Sequence, residues 1–267
     1  MPTVNENKKA WDGQYSWPNL GDEWSVAWGG PFMQWYGTIL PRIHRFIPTG
    51  SILEIACGYG RWTQFLKDMC HELEVIDLSE ECIQACKQRF IKNTNIKYYL
   101  NDGKSLEMIS DDSIDFVFSF DSLVHADESI IKSYFSQLPR ILRDNGAAFI
   151  HHSNLGEYYP VYSLIRKVPG LEVILKKLCI LEKDLHWRDS GVSARSVEKL
   201  AENYALKCIS QEIIPWGTKR AQIDCFSTIV KKTSPLARDN HILRNTSFSE
   251  EVKNLSQLSR LYTMDQK

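Results

Sequence analysis

The chain has 267 residues, of which 43% are hydrophobic and 24% are charged, and its formal net charge is −1. This composition is that of a globular protein with one large domain or two small ones, and the balanced charge excludes an overall field that favours nucleic acid. Seven cysteines without paired short spacings indicate reduced thiols in a cytoplasmic protein. We find no apolar signal segment and no stretch suited to span a bilayer, so the sequence predicts no membrane span.

The first segment, residues 1–50, is predicted to form an N-terminal cap. Four of the eight tryptophans of the chain precede residue 30. So much aromatic surface must be buried or used for binding. The aromatic residues of this cap are Trp11, Tyr15, Trp17, Trp24, Trp28, Trp35 and Tyr36.

The central segment, residues 51–232, alternates between strand-like and helical patterns. The strand-like runs lie at 51–56, 73–77, 96–100, 114–120 and 147–152, and the helical runs between them at 61–70, 80–91 and 128–143. This alternation predicts βαβ units and a parallel sheet. A further helix is predicted at 193–204, followed by strands at 206–214 and 222–231 with no helix between them. Such a pair is expected to be antiparallel.

One segment interrupts this alternation of strands and helices, and another follows it. Residues 154–192 are too long for an ordinary loop and carry helical patches, which predicts an inserted lid. The polar tail, residues 233–267, has Val252, Leu255, Leu258 and Leu261 at helical spacing. We expect a tail helix that docks on its own domain or forms a protein partner or dimer contact, and we expect the tail to be dispensable for catalysis.

A tight glycine turn follows the first strand of the sheet. Glu54 ends the apolar run, and Gly58 and Gly60 then let the backbone bend sharply and approach a ligand. A dinucleotide-binding loop would place a third glycine at the position of Thr63. That difference, and the carboxylate before the glycines, disfavour a pyrophosphate ligand.

Polar residues also follow strands two, three and four. Asp77 ends strand two, where a carboxylate can accept hydrogen bonds from both ribose hydroxyls. Asp102 and Gly103 follow strand three and could bind the edge of an adenine. Each feature has a simpler interpretation, since Asp77 could only begin a helix and Asp102-Gly103 could only form a turn. Together, in this order, they favour a nucleoside with a cationic amino-acid arm and no phosphates.

The order and spacing of these motifs resemble those of class I S-adenosylmethionine-dependent methyltransferases. The family pattern D/E-x-G-x-G-x-G is matched at Glu54, Gly58 and Gly60 and departs at Ala56, where the family usually has glycine. The resemblance implies an α/β, Rossmann-like sheet of seven mostly parallel strands. It also implies the order 3-2-1-4-5-7-6, with strand seven antiparallel.

The same resemblance implies which residues bind the cofactor, S-adenosyl-L-methionine. Asp77 would hold the ribose, Asp102 and Gly103 the adenine, and the loop 56–60 the methionine arm. The complete set of expected cofactor contacts is Glu54, Ala56, Gly58, Gly60, Asp77, Leu78, Asp102, Gly103 and Phe120.

Methyl transfer to a hydroxyl group needs a base that removes the proton, or a metal that lowers the hydroxyl pKa. Neighbouring side chains of a strand point to opposite faces, so at most one of His151 and His152 should reach the cleft. We favour His152 as the base, with His125 second and Asp121 as a group that orients the acceptor or the base. His125 could instead only pack against a helix, and His151 is expected to do so. Asp224 could orient a histidine or simply end a strand.

The predicted lid supplies candidate residues for binding the methyl acceptor. Aromatic and guanidinium groups there suit a sugar ring with an acidic substituent, although the aromatic residues could instead cover the sheet edge. The segments HHSN, HWRDSG and IDCFS are similar to methyltransferases encoded with bacterial capsule and O-antigen polysaccharide genes. That resemblance implies methylation of a hydroxyl group of a sugar or glycan acceptor. The lid residues expected to bind the acceptor are Tyr158, Tyr159, His186, Trp187 and Arg188.

Three hypotheses follow from the sequence. The first is an O-methyltransferase that acts on a sugar hydroxyl of a glycan or nucleotide sugar. The second is an N- or O-methyltransferase of an aromatic small metabolite, and the third is a catalytically silent module that binds the cofactor or a partner. No metal ligands are assigned, and the need for a metal stays open at this point.

Overall fold

The computed structural model describes residues 3–159, 163–164, 167, 188–217 and 221–263. Within these ranges the strands are β1 (Thr49–Ile55), β2 (Cys70–Asp77), β3 (Ile96–Leu100), β4 (Ile114–Ser119), β5 (Leu142–Ser153), β6 (Leu206–Ile214), β7 (Asp224–Lys231) and β8 (His241–Arg244). These eight strands form one sheet in the order β3-β2-β1-β4-β5-β7-β6-β8. The predicted seven-strand order is confirmed, β7 runs antiparallel to both its neighbours, and the tail adds β8 in parallel to β6.

Eight α-helical segments accompany the sheet in the described part of the chain. Ser79, Asp127 and Ser193 precede the longer central helices, and each side chain accepts a hydrogen bond from the first helical turn. The helices are α1 (Val4–Lys9), α2 (Pro31–Gln34), α3 (Leu40–Ile43), α4 (Thr63–Leu66), α5 (Glu80–Arg89), α6 (Glu128–Ile141), α7 (Ala194–Asn203) and α8 (Phe248–Tyr262).

The sheet separates two apolar cores because successive side chains of a strand point to opposite faces. On β4, Phe116 and Phe118 belong to one core, whereas Val117 belongs to the other. The first core also contains Trp35 of the aromatic cap, the name we use for residues 3–50. Trp35 is fully buried and stacks on Phe65 with a centroid distance of 4.8 Å. The aromatic cap is therefore part of the folded core.

The first helix lies over the carboxyl ends of β2, β3 and β4. Lys8 donates a hydrogen bond to the carbonyl of Leu78, and the amide of Asn7 donates one to the carbonyl of His125. Val4 approaches Gly103 so closely that a Cβ there would lie 3.3 Å from its Cγ1. The beginning of the aromatic cap thus forms a roof over this edge of the sheet.

The tail packs against the core instead of extending from it. Besides β8, it forms α8, whose first residue Phe248 is buried against Trp28 and Trp216. Further along α8, Leu255 packs closely on Gly37, so that a Cβ at Gly37 would meet it at 2.4 Å. Leu261 is 74% exposed. This packing argues against the expectation that residues 233–267 are dispensable.

Most of the predicted lid, residues 154–192, lies outside the described residues. Its last residues lead into α7. Across the described residues, no helix combines the length and the apolar character needed to cross a membrane.

Candidate active site

A cavity of about 1200 Å³ lies at the carboxyl ends of β1 to β4, beneath the aromatic cap. Residues from the tips of these strands line one side, and residues from the cap, the β6–β7 connection and α8 line the other. The strand-tip side includes Ala56, Cys57, Gly58, Tyr59, Arg61, Asp77, Leu78, Asn101, Gly103, Phe120, Asp121 and His125. The aromatic side includes Trp11, Tyr15, Trp17, Trp24, Trp28, Trp216 and Phe248.

The glycine turn after β1 adopts a left-handed backbone at three positions. The φ angles are +62° at Ala56, +54° at Gly58 and +88° at Gly60. A Cβ at Gly60 would lie 2.5 Å from the ring of Phe90, so this position requires glycine. Ala56 keeps the turn despite its Cβ, at a cost of roughly 1–2 kcal/mol. Its N–H group donates to the carbonyl of Ile76, which fixes the turn on β2.

Asp77 joins the ends of β1 and β2. One of its carboxylate oxygens accepts a hydrogen bond from the N–H of Gly58, and the other accepts one from the N–H of Ser79, both at 2.9 Å. Burial raises the pKa of Asp77 to about 6 despite these two bonds. Each oxygen keeps a further acceptor position. Because Asp77 also lines the cavity, it can accept hydrogen bonds from a ligand.

Glu54 lies beneath the glycine turn and does not line the cavity as the structure describes it. Its side chain is buried, and one oxygen accepts a hydrogen bond of 2.6 Å from the Thr63 hydroxyl. The other oxygen has no hydrogen-bond partner among the described residues. Burial raises the pKa of Glu54 to about 8. The position of Glu54 therefore does not support the direct cofactor contact that was expected from the sequence. The hydrogen bond from Thr63 to Glu54 was not predicted.

The raised pKa of Glu54 predicts how stability depends on pH. Between about pH 4.5 and 8 the folded chain holds a proton on Glu54 that the unfolded chain releases, so this group makes the unfolding free energy fall as pH rises. Glu54→Gln removes this fall of the unfolding free energy with pH, because glutamine does not titrate. Its side-chain oxygen can still accept the hydrogen bond from the Thr63 hydroxyl. Across this window, we expect the stability of the variant relative to wild type to rise by up to about 1.4 kcal/mol per pH unit. Urea unfolding of both proteins at pH 5.5 and 7.5 measures this, and equal pH slopes would contradict it.

The tip of β3 differs from the prediction for Asp102. The side chain of Asp102 is exposed, accepts hydrogen bonds from the N–H groups of Lys104 and Ser105, and does not line the cavity. It stabilises a turn, which is the simpler of the two interpretations. Gly103 does line the cavity, and so does Asn101, whose amide donates to the Tyr134 hydroxyl. The adenine contact predicted for Asp102 is thus not supported by its position.

The tip of β4 brings a carboxylate into the cavity. Asp121 has a φ angle of +59°, and its Oδ2 accepts a hydrogen bond of 2.8 Å from Nη2 of Arg61. Phe120 lines the cavity beside it, as does His125, whose ring lies 6.2 Å from that of Trp11. The residues predicted at this strand tip therefore lie together. The ion pair of Asp121 with Arg61 was not predicted from the sequence.

The two histidines of β5 have their predicted orientations reversed. His152, the favoured base, is buried away from the cavity, where Nδ1 donates to the carbonyl of Ser153 and Nε2 accepts from the Ser227 hydroxyl. Burial lowers its pKa to about 4. His151 instead faces the cavity side, with its ring 4.7 Å from that of Trp216. The expectation that His152 reaches the cleft is therefore wrong.

His151 connects Asp121 to a buried ion pair. Its Nδ1 accepts a hydrogen bond from the N–H of Asp121, so Nε2 must carry the proton that it donates to Asp224 at 3.1 Å. Asp224 is paired with Arg188 through two hydrogen bonds of 2.5 and 2.7 Å. Burial alone would raise the pKa of Asp224, but the Arg188 guanidinium lowers it to about 2. Arg188 lines the cavity with its charge already neutralised, which contradicts its predicted role as an anion-binding group.

Two other predicted acceptor residues, Tyr158 and Tyr159, lie away from the cavity lining. The Tyr158 hydroxyl accepts a hydrogen bond from the N–H of Gln222, and Tyr159 is 47% exposed. Neither residue lines the cavity. His186 and Trp187 lie outside the described residues. The side of the cavity opposite the strand tips is built by aromatic residues of the cap, the β6–β7 connection and α8.

Comparison with known proteins gives one family match. Residues 52–146 match a family model described as "Methyltransferase domain". No protein of curated function matches the chain by sequence.

Solved structures of low sequence identity share the fold. The PH0226 protein of Pyrococcus horikoshii OT3 is 19% identical over 75% of this chain and 91% of its own, with a TM-score of 0.55. An S-adenosylmethionine-dependent methyltransferase of Clostridium acetobutylicum ATCC 824 is 14% identical over 74% and 91%, with a TM-score of 0.54. The N-methyltransferase NodS of Bradyrhizobium japonicum WM9 is 16% identical over 75% and 97%, with a TM-score of 0.51.

These structures agree with the chain in fold, and the family match identifies the activity of the segment that carries the glycine turn and Asp77. Residues 52–146 therefore belong to a methyltransferase domain, the chain is an enzyme, and S-adenosylmethionine is its cofactor.

Proposed function

We infer that this enzyme transfers the methyl group of S-adenosylmethionine to an oxygen or nitrogen atom of a neutral, planar small molecule. The observation that carries this proposal is the aromatic half of the cavity. In addition, the described arginines of the whole lining are already paired with carboxylates. The aromatic-metabolite hypothesis thus takes precedence over the acidic-glycan hypothesis.

The cofactor is assigned to the strand-tip half of the cavity. The neighbouring strands β3, β2, β1 and β4 bring Gly103, Asp77, the glycine turn and Asp121 side by side along one edge. In this assignment the adenine lies by Gly103 and Asn101, the ribose hydroxyls donate to Asp77, and the methionine arm follows the glycine turn towards Asp121. The free acceptor positions of Asp77 support the ribose assignment.

The acceptor is assigned to the opposite half, between the aromatic cap and α8. Trp28, Trp216 and Phe248 pack against one another there, with centroid distances of 5.1 Å between the two indoles, 5.8 Å between Trp216 and Phe248, and 6.5 Å between Trp28 and Phe248. Flat aromatic walls stack on planar rings, and such pairs contribute roughly 0.5–1.5 kcal/mol beyond the area they bury. An acceptor with a flat apolar body suits this half best.

The charges of the cavity favour an uncharged acceptor. The described lining has no lysine, and its two arginines, Arg61 and Arg188, are paired with Asp121 and Asp224. An acidic acceptor would find no cation in the described lining that is free of a carboxylate partner, so the cost of desolvating its charge would be poorly compensated. Asp121 faces the acceptor with one oxygen engaged by Arg61, and it can orient an O–H or N–H group of the acceptor with the other.

A neutral sugar is the second candidate acceptor. The indole faces of Trp28 and Trp216 can also stack on the apolar face of a sugar ring, while Asp121 accepts from a hydroxyl. The finer hypothesis of a capsule or O-antigen glycan rests only on the short similar segments, and Arg188 gives it no support in its paired state.

The proposal is tested by screening acceptors by mass for the gain of one methyl group. The panel contains neutral phenols and N-heterocycles, their carboxylated analogues, and neutral and acidic sugars. We expect product from the neutral planar compounds and less from each carboxylated analogue. Trp216→Ala should raise KM for the best acceptor on the order of 10-fold, because a stacking wall is lost.

Tyr159→Ala serves as the matched control, since this aromatic residue lies outside the cavity lining, and its KM should stay close to wild type. Methylation of acidic sugars alone, with unchanged KM in Trp216→Ala, would contradict the proposed acceptor class.

A further inference from the structure

Beyond the assignments above, we propose that the guanidinium group of Arg61 binds the α-carboxylate of S-adenosylmethionine. This inference rests on the proposed placement of the cofactor along the strand tips. It adds a positively charged partner to the cofactor site, whose contacts predicted from the sequence include no cation.

The position of Arg61 carries the first part of the argument. It directly follows Gly60 and reaches across to Asp121, so it spans the tips of the neighbouring strands β1 and β4. The nucleoside groups are assigned to β3 and β2, which leaves β1 and β4 for the far end of the methionine arm. That end carries the carboxylate. The other described arginine of the lining, Arg188, is held further along the sheet by Asp224 of β7.

The bonding of Arg61 carries the second part. A guanidinium has five N–H donors. Nη2 donates to Asp121 at 2.8 Å, whereas Nη1 is buried and has no hydrogen-bond partner among the described residues. Its Cζ atom lies 4.6 Å from the ring centroid of Trp62, which fixes the plane of the group beside an aromatic face. A buried donor without a partner is costly, so the site is incomplete until an acceptor arrives.

The surrounding charges favour a carboxylate as that acceptor. The methionine arm ends in an ammonium and a carboxylate group. Asp121 lines the cavity and is a carboxylate that suits the ammonium. Among the described lining residues near the glycine turn, Arg61 is the cation that suits the carboxylate. Guanidinium and carboxylate groups also match in shape and form paired hydrogen bonds.

The alternative is that Arg61 has a purely structural role and only holds Asp121 in place. The two roles differ in a measurable way, because only the proposed role makes binding depend on the carboxylate of the ligand. Decarboxylated S-adenosylmethionine keeps the adenosine, the sulfonium and the amine but lacks that carboxylate. It is therefore the probe for this contact.

The experiment measures calorimetric affinities of S-adenosylmethionine and its decarboxylated form for wild type and variants. Wild type should prefer the complete cofactor on the order of 10-fold or more, as expected for a charge-assisted contact. Arg61→Gln should lose most of this preference, and Arg61→Lys should keep part of it. Arg143→Gln is the matched control, because Arg143 is paired with Asp115 outside the cavity lining, and this variant should keep the wild-type preference.

Asp121→Asn completes the set because it removes the ionic partner but leaves Arg61 in place. The proposal expects the preference to persist in this variant. A preference that vanishes in Asp121→Asn, or that survives in Arg61→Gln, would overturn it, as would a wild type that binds both ligands equally. If wild type binds neither ligand, the proposed function itself fails and this inference with it.

Discussion

Asp77→Ala is expected to weaken the binding of S-adenosylmethionine on the order of 100-fold or more. The variant would lose the two charge-assisted hydrogen bonds that the Asp77 carboxylate accepts from the ribose hydroxyls, which contribute about 1.5–3 kcal/mol each. The change also removes the acceptors for the N–H groups of Gly58 and Ser79, which hold the glycine turn against β2. Calorimetric titration of the purified variant with the cofactor measures the loss.

Asp102→Ala is the matched control, because it removes the other carboxylate to which the sequence assigned a cofactor contact. Asp102 is exposed and only stabilises a turn. Its replacement should change the affinity by no more than about 3-fold, the range of ordinary surface substitutions. An equal loss in both variants would show that the adenine contact predicted from the sequence exists after all.

Truncation after Lys232 is expected to give a chain that unfolds or precipitates and transfers no methyl groups. It removes β8 and α8, and with them Phe248, which packs on Trp28 and Trp216. It also removes Glu251, which shares Arg42 with Glu212. Solubility and circular dichroism of the truncated chain measure the outcome. A soluble, active product would restore the expectation drawn from the sequence.

Phe248→Ala tests the same contact without deleting the tail. Removal of this buried ring should lower the unfolding free energy by about 3–5 kcal/mol. It should also impair acceptor binding because Phe248 lines the cavity. Leu261→Ala changes an exposed side chain of the same helix and should leave the stability nearly unchanged. Urea unfolding curves of the two variants provide the comparison.

The central sheet could be predicted because its signals are local. Each parallel strand is a short apolar run, and each run ends near a polar residue or a glycine. Ile96–Leu100 and Leu206–Ile214 match the predicted strands at both ends. β8 was missed, since His241–Arg244 has four exposed residues and no apolar pattern. It is a strand because the open edge of β6 offers it backbone partners.

The catalytic side of the site could be predicted only in part. The alternation along β5 correctly separates the two histidines, but it does not tell which face of the sheet lies under the cavity. His151 shares its face with Phe149, whose ring packs against Phe226 of β7. That choice depends on the antiparallel pairing of β5 with β7, in which His151 lies opposite Phe226. The pairing joins distant segments and leaves no local signal.

The ion pairs of the cavity could not be predicted from the sequence either. Arg188 and Asp224 are far apart in the chain, and their contact forms only when the end of the lid meets the first residue of β7. In the sequence, an arginine beside aromatic residues indicates an anion-binding site. The structure shows its charge to be neutralised, and this reverses the inference about the acceptor.

The packing of α8 on the aromatic cap has a consequence for the order of folding during synthesis. The Ser259 hydroxyl donates to the carbonyl of Gly29, a contact that spans 230 positions. Such a contact cannot form until residue 259 has left the ribosome, whereas β1 to β4 have their pairing partners much earlier. The strand tips of the nascent chain are therefore complete before the far wall of the pocket exists. The cavity is completed in a late step, when the C-terminal helix docks on the N-terminal aromatic residues.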